Sequence, residues 1–363
     1  MARFSDVLTI INGKNQSKVE NPHGKYPIYG SGGIMGYADD YICEAQTVII
    51  GRKGNINKPI FVETPFWNVD TAFGLCAQKD ILHPKYLYYF CEHFDFEKLN
   101  TTVTIPSLTK ANLLDIEIDV PLMECQKGIV SRLDKIETII MLRKQQLSKL
   151  DELVKSRFIE MFGDIKTGDY KFETRILGEV AEVGSSHRVF TTEFVEEGIP
   201  FYRGTEIGEL ANGIKPENPY RIAKEHYERL ANDETKPKIG DLLMPSICNK
   251  GQVWMVDTDE PFYYKDGRVL CISPNRKLFN CKYLEQFMRE KTLVEYPKLG
   301  SGSTFAEFKI FLLKDIEVLI PPIELQNRFA AFFEQTDKSK LAIQQSLEKL
   351  ETLKKALMQK YFG

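Results

Sequence analysis

Apolar positions along the chain follow two regimes. Between Gln126 and Phe162 they recur at Ile129, Leu133, Ile136, Ile140, Leu147, Leu150 and Val154, spaced by four and three, with Arg143 in the one polar slot. That period is helical and draws a single apolar seam. No proline interrupts the stretch and its only glycine, Gly128, lies near the start. Pro121 stands just ahead, and Gly163 sits where a glycine ends a helix. A second stretch gives Phe329, Phe333, Ile343, Leu347, Leu350 and Leu357, with Thr336, Lys340 and Lys354 as polar interruptions. Each pattern predicts a helix of about 37 residues and about 55 Å. Matching seams suit mutual pairing; two unrelated amphipathic helices on separate domains are the alternative.

The remaining pattern is short-ranged. Thr47–Ile50, Ile60–Val62, Leu242–Met244, Val253–Val256 and Val269–Ile272 are β-branched or apolar runs, mostly bounded by Gly, Pro or Asp, and predict strands. Short helices are expected at Lys85–Leu99 and Cys281–Val294. The chain therefore reads as α+β: mixed β-rich domains at 1–120 and 164–320, and spacer helices at 121–163 and 321–363.

That alternation is an internal repeat. Residues 115–163 align without a gap on 315–363, with 14 identities over 49 positions. They include Asp115-Ile116-Glu117, Pro121, Glu124, Gln126, Gln145, Leu147, Lys149, Leu150 and Leu153, and both copies end in Phe-Gly. Upstream the match is weaker: Lys53-Gly54 with Lys250-Gly251, Lys85-Tyr86-Leu87 with Lys282-Tyr283-Leu284, and Asp6-Val7 with Glu179-Val180.

Composition narrows the class. No apolar run approaches the roughly 18 residues that span a bilayer, and no basic-then-apolar leader opens the chain. Seven cysteines, never as C-x-x-C, suggest reduced and mostly buried thiols in the cytoplasm. The net charge of −3 is unevenly spread: residues 126–163 and 326–363 carry +3 each, whereas 1–125 carry −4 and 164–325 carry −5. Any nucleic-acid surface on the β-rich parts must therefore be local.

Catalytic constellations are scarce. The five histidines show no metal-ligand spacing, and no phosphate-binding G-x-x-x-x-G-K-[ST] occurs. Tyr29-Gly30-Ser31-Gly32-Gly33 lacks the spacing of a cofactor loop, and Asn218-Pro219-Tyr220 lacks the second proline of an adenine methyltransferase motif. No catalytic residue, metal or cofactor is expected. Binding chemistry is easier to find. Gly51-Arg52-Lys53-Gly54-Asn55 follows a β-run and predicts a turn presenting two cations, suited to phosphates or, through the Arg52 fork, to guanine. Asn249-Lys250-Gly251-Gln252 offers amides suited to an adenine edge and one cation. A solvated hairpin turn is the plain alternative for each. Thr102 and Thr104, and Ser303 and Thr304, place hydroxyls just ahead of the repeated region, suited to DNA contact or to ordinary capping. Trp67 and Trp254 read as core.

Two divergent domains, each followed by a matching long helix, resemble the DNA-sequence-specificity subunit of Type I restriction–modification systems. The resemblance covers essentially the whole chain and is best at Asp115-Ile116-Glu117…Pro121…Glu124…Gln126 with its copy, and at the Gly-Arg-Lys-Gly turn followed by Trp67-Asn68-Val69-Asp70-Thr71-Ala72-Phe73. The second copy departs from this, with Asn249-Lys250-Gly251 and Tyr264-Lys265-Asp266-Gly267. The resemblance implies two target-recognition domains, each reading half of a split double-stranded DNA target. It implies helices paired antiparallel, docking two methyltransferase subunits along Ile129, Leu133, Ile136, Ile140, Leu147, Leu150, Phe329, Phe333, Ile343, Leu347 and Leu350, with restriction subunits further out. A coiled-coil scaffold with protein-binding heads, or a self-contained methyltransferase or nuclease, are the competing expectations.

Overall fold

The computed structural model describes residues 1–99, 107–231, 233, 235–300 and 306–363. The chain forms two compact units, Met1–Leu147 with Ala342–Gly363, and Ser148–Leu341. Both long helices are unbroken, Met123–Phe162 and Ile323–Phe362, 40 residues each. They begin three residues earlier than the seam suggests, because the first turn closes directly behind the proline. Gln126 N donates to Leu122 O (3.1 Å) and Gln326 N to Pro322 O (3.2 Å).

In the first unit the central sheet is antiparallel, in the order Leu8–Asn12, Ala72–Ala77, Thr47–Gly51, Ile60–Val62. A smaller sheet runs Gly33–Ala38, Tyr26–Gly30, Trp67–Asn68, its last pair parallel. The second unit repeats both. Its central sheet runs Ala181–Gly184, Val269–Pro274, Leu242–Pro245, Trp254–Met255, and its smaller sheet Tyr220–Ile222, Phe194–Tyr202, Tyr263–Tyr264, again with a parallel last pair. Thr47–Gly51 and Leu242–Pro245 are buried at every position, which is why they read as continuous apolar runs rather than alternations. Trp67 and Trp254 are buried, as are Cys43, Cys91, Cys248 and Cys271. No described helix is long and apolar enough to cross a membrane.

The expected helix over 85–99 is broken. It runs Pro84–His93, and Phe96–Leu99 forms a separate 3₁₀ turn. Phe94 is extended between them, and Asn57 Oδ1 accepts from Phe96 N (2.8 Å), so a side chain from another element ends the helix. Its counterpart, Cys281–Glu295, runs five residues longer.

The repeated identities are the joints of this architecture. The buried amide of Gln126 donates to Ile81 O (2.9 Å) and Pro121 O (2.8 Å) and accepts from His83 N (2.8 Å). Gln326 does the same with Leu278 O (2.9 Å), Pro321 O (2.8 Å) and Asn280 N (2.9 Å). His83 and Asn280 are the N-caps of the two short helices. The amide therefore ties the start of a long helix to the cap of a short one, and satisfies three backbone groups. The Tyr86 hydroxyl donates to Asp119 O (3.1 Å), and that of Tyr283 to Leu319 O (3.3 Å). Phe362 then packs edge-on against Tyr86 at 5.0 Å, and Phe162 against Tyr283 at 4.9 Å. After Phe162 the chain turns through Gly163 at φ +99°, where a Cβ would lie 2.0 Å from Asp169 O, so only glycine serves.

Candidate functional site

Arg52, Lys53, Gly54 and Asn55 are all exposed and follow the buried strand Thr47–Gly51. The turn is held by backbone bonds: Arg52 N donates to Thr71 O (2.8 Å), Leu108 N to Arg52 O (3.0 Å), and Ile56 N to Gly54 O (2.9 Å). Gly54 takes φ +76° with open space around it. The Arg52 guanidinium lies over the Phe73 ring at 5.8 Å, and the Lys53 backbone forms a β-bridge with Ser107. The result is a rigid base with two cations carried outward.

In the second unit Asn249 and Lys250 are exposed and Gln252 is half-buried. Gln252 Oε1 accepts from Lys250 N (3.0 Å), so this amide is partly used inside its own turn. Gly251 matches Gly54 in conformation, with φ +66° and Val253 N donating to Gly251 O (3.0 Å). The rest of the turn does not superpose as the sequence suggests. Gly51 pairs with Ala72, and Pro245 with Val269. Ser246 N donates to Arg268 O (2.9 Å) and Phe308 N to Ser246 O (2.7 Å). By register, Ser246 occupies the place of Arg52 and Arg268 that of Thr71; Asn249 and Lys250 lie on extra residues ahead of the glycine. Lys250 and Gly251 border a cleft of about 710 Å³ also lined by Asp151, Lys155, Phe333 and Lys340 of the long helices. Thr102, Thr104, Ser303 and Thr304 lie outside the described residues.

The helix seam is filled within each unit. In the first, Arg132 donates to the Tyr361 hydroxyl (3.1 Å), Glu137 pairs with Lys354 (2.8 Å) and Lys144 with Glu351 (3.1 Å). In the second, Asp151 pairs with Lys340, and Phe158 packs on Phe329 at 5.3 Å. Numbers rise on one helix as they fall on the other, so the segments are antiparallel in both. Burial alone would lower the Lys354 ammonium, but the Glu137 and Glu92 carboxylates, the latter at 2.7 Å, hold it above its usual range.

Leu133, Ile136, Phe329 and Leu347 are buried, and Ile129, Ile140, Leu147, Leu150, Phe333, Ile343 and Leu350 are half-buried. The buried ones pack within their own unit, and the half-buried ones keep part of their surface in water. The outward apolar residues are others: Ile139, Leu142 and Leu353 in the first unit, and Leu153, Ile159 and Leu341 in the second. Leu153 and Leu353 are equivalent in the repeat, and each is 47% exposed. Seam reasoning passes over them because they stand off the 4-3 spacing; their identity in both copies was the available signal.

With this geometry in place, comparison with known proteins is informative. The family model for the Type I restriction modification DNA specificity domain matches residues 1–152 and 170–354. A type I restriction enzyme specificity subunit of Haemophilus influenzae is 24% identical over 370 residues, covering 92% of this chain and 88% of its own. The crystal structure of a Type I restriction–modification S subunit from M. genitalium shares the fold with a TM-score of 0.60 at 16% identity, over 100% of this chain and 95% of that one. A chain from a structure of complex assembly and conformational transition in the type I system gives 0.59 at 17% identity, over 99% and 96%.

Proposed function

The chain belongs to the Type I restriction–modification DNA specificity family, and from that premise we propose that it is the specificity subunit of such a system. Each unit reads one half of a bipartite DNA target. The paired helices set the gap between the halves and dock two methyltransferase subunits, which restriction subunits join. The chain itself is non-catalytic and binds no cofactor; methyl transfer and cleavage belong to its partners in the cytoplasm.

The observation that carries this reading is one scaffold built twice with different chemistry at the end of the same central strand. Arg52, Lys53 and Asn55 stand around Gly54, and Asn249, Lys250 and Gln252 around Gly251. Equivalent strands that end in turns with unequal donors and acceptors are what reading two different half-sites requires, since phosphate contacts position a protein while base-edge contacts discriminate. Arg52 suits guanine and Lys53 phosphate; Asn249 suits adenine. Docking is supported by Leu153 and Leu353, one in each unit, exposed to the same degree. An apolar side chain kept at the same place in both copies and exposed to the same degree suits two copies of one partner. The acidic balance outside the helices also fits a chain whose DNA channel is completed by other subunits.

The test is co-expression with the candidate methyltransferase, followed by sequencing of methylated bases in the host DNA. One bipartite methylated motif that vanishes on deletion of this chain is expected; methylation that persists unchanged would overturn the reading. Four extra residues in each long helix add about 6 Å and should lengthen the gap by one to roughly two base pairs at 3.4 Å each.

A further inference from the structure

The backbone register places a serine, Ser246, where the first unit has Arg52, and an arginine, Arg268, across the strand pair where the first unit has Thr71. The cation has changed strands without leaving the strand end. A second cation stands beside the first in each unit. In the first unit it is Lys53, whose backbone forms a β-bridge with Ser107. The residue equivalent to Ser107 is Glu307, and it binds both Arg268 (2.6 Å) and Lys309. Each unit therefore gathers one arginine and one lysine at the same end of its central sheet, beside the residue that leads into the short helix Lys110–Leu114 or Ile310–Lys314.

Resting on the specificity reading above, we propose that Arg268, with Lys309, is the DNA-facing cation pair of the second unit, and that Glu307 neutralises it until DNA displaces the carboxylate. Arg268 suits the role: its side chain is 58% exposed, whereas that of Glu307 is 20% exposed. The carboxylate is anchored and the arginine is free to swing. The Lys309 ammonium, then Arg268, holds the Glu307 carboxyl below its usual range, so the pair stays charged at neutral pH. Lys250, the cation the sequence pairs with Lys53, borders the cleft against the long helices instead. Phosphates compete for a paired arginine because several oxygens replace one carboxylate, and the exchange releases counterions. Guanine offers the same fork two acceptors.

The experiment uses the full chain co-purified with its methyltransferase subunits, measuring binding to a random-sequence duplex across salt concentrations and the methylated motif in cells. Arg268→Ala should weaken binding about five-fold or more and lower the salt slope by about one, a larger effect on both than Lys250→Ala has. Glu307→Gln should tighten non-specific binding. In cells, Arg268→Ala should relax or abolish the half-site that Arg52→Ala leaves intact. Arg268→Lys separates the contacts, because it keeps the phosphate charge and loses the guanine fork. Circular dichroism of each variant guards against misfolding. Folded Arg268→Ala that binds and methylates as wild type, or Lys250→Ala carrying the loss instead, overturns the assignment. A wild-type complex that neither binds nor methylates removes the specificity reading itself, and this assignment with it.

Discussion

In the first unit Gln126 fastens a long helix to the cap of a short one through three backbone groups, and in the second Gln326 makes the same three bonds within 0.1 Å. At the ends of the two central sheets, by contrast, the equivalent turn positions keep only a left-handed glycine. The arginine becomes a serine, a threonine becomes an arginine, and a serine becomes a glutamate. The two units thus separate residues that hold the frame, which must satisfy buried polar groups and cannot drift, from residues at the open strand ends, which face water and can. A protein that must read two different half-sites from one architecture needs that separation.

The largest expected effect tests the frame. Gln126→Leu fills much of the same space but leaves one N–H and two carbonyls, all part-buried, without their partner. At about 1–3 kcal/mol for each unsatisfied group, the loss should be roughly 3 kcal/mol or more. Gln326→Leu should cost the same within error in urea denaturation. A loss below about 1 kcal/mol in either, or a clear inequality, would break the equivalence of the joints.

The glycines should behave unequally. Gly54→Ala meets nothing within 4 Å and suffers only the left-handed backbone, about 1–2 kcal/mol. Gly251→Ala adds a Cβ 2.7 Å from Arg289 O, backbone that cannot swing aside. It should cost about 1–3 kcal/mol beyond the first variant, as overpacking does. Equal costs would mean that the second turn is looser than its contacts imply. Smaller still are Tyr86→Phe and Tyr283→Phe, each removing one hydroxyl-to-carbonyl bond worth about 1 kcal/mol.

How much of this was legible beforehand follows the same division. The 4-3 spacing gave both long helices, and the offset of 200 gave the repeat, because buried seams and buried amides leave periodic or identical residues. The short apolar runs located the central strands for the same reason. The break at Phe94 was invisible, since it depends on Asn57 reaching from a distant turn. Arg268 was invisible too: Lys53-Gly54 aligns with Lys250-Gly251 by letter, and only the bonds of Arg52 and Ser246 show that the intervening turn is redistributed. An apolar stripe names a covered face without saying whether another chain or the same chain covers it, and the seam residues divide between buried ones such as Leu133 and Phe329 and half-buried ones such as Ile140 and Leu150.

The smallest effect distinguishes the units by acid. In the first, Asn57 Nδ2 donates to Asp95 (2.9 Å) and, with Glu97 N, holds its carboxyl below the usual value; both donors are neutral. In the second, His187 at 2.7 Å, then Thr235, pulls Asp233 down to about 2. Both carboxyls are depressed in the folded state, so each contributes stability that is complete above its unfolded value near 3.8 and lost as pH falls. For Asp233 the loss spans pH 3.8 down to about 2. Both groups are exposed, so the slopes are shallow, and salt should flatten the Asp233 slope, where His187 is the first cause, more than that of Asp95, where Lys98 is the least. Thermal melts between pH 2 and roughly 4.5 should show Asp233→Asn less pH-dependent than wild type. His187→Gln should shift the loss upward towards 3.8, the value of an unassisted carboxyl. A His187→Gln profile superimposable on wild type would mean that the threonine, a neutral donor as in the first unit, holds Asp233 by itself.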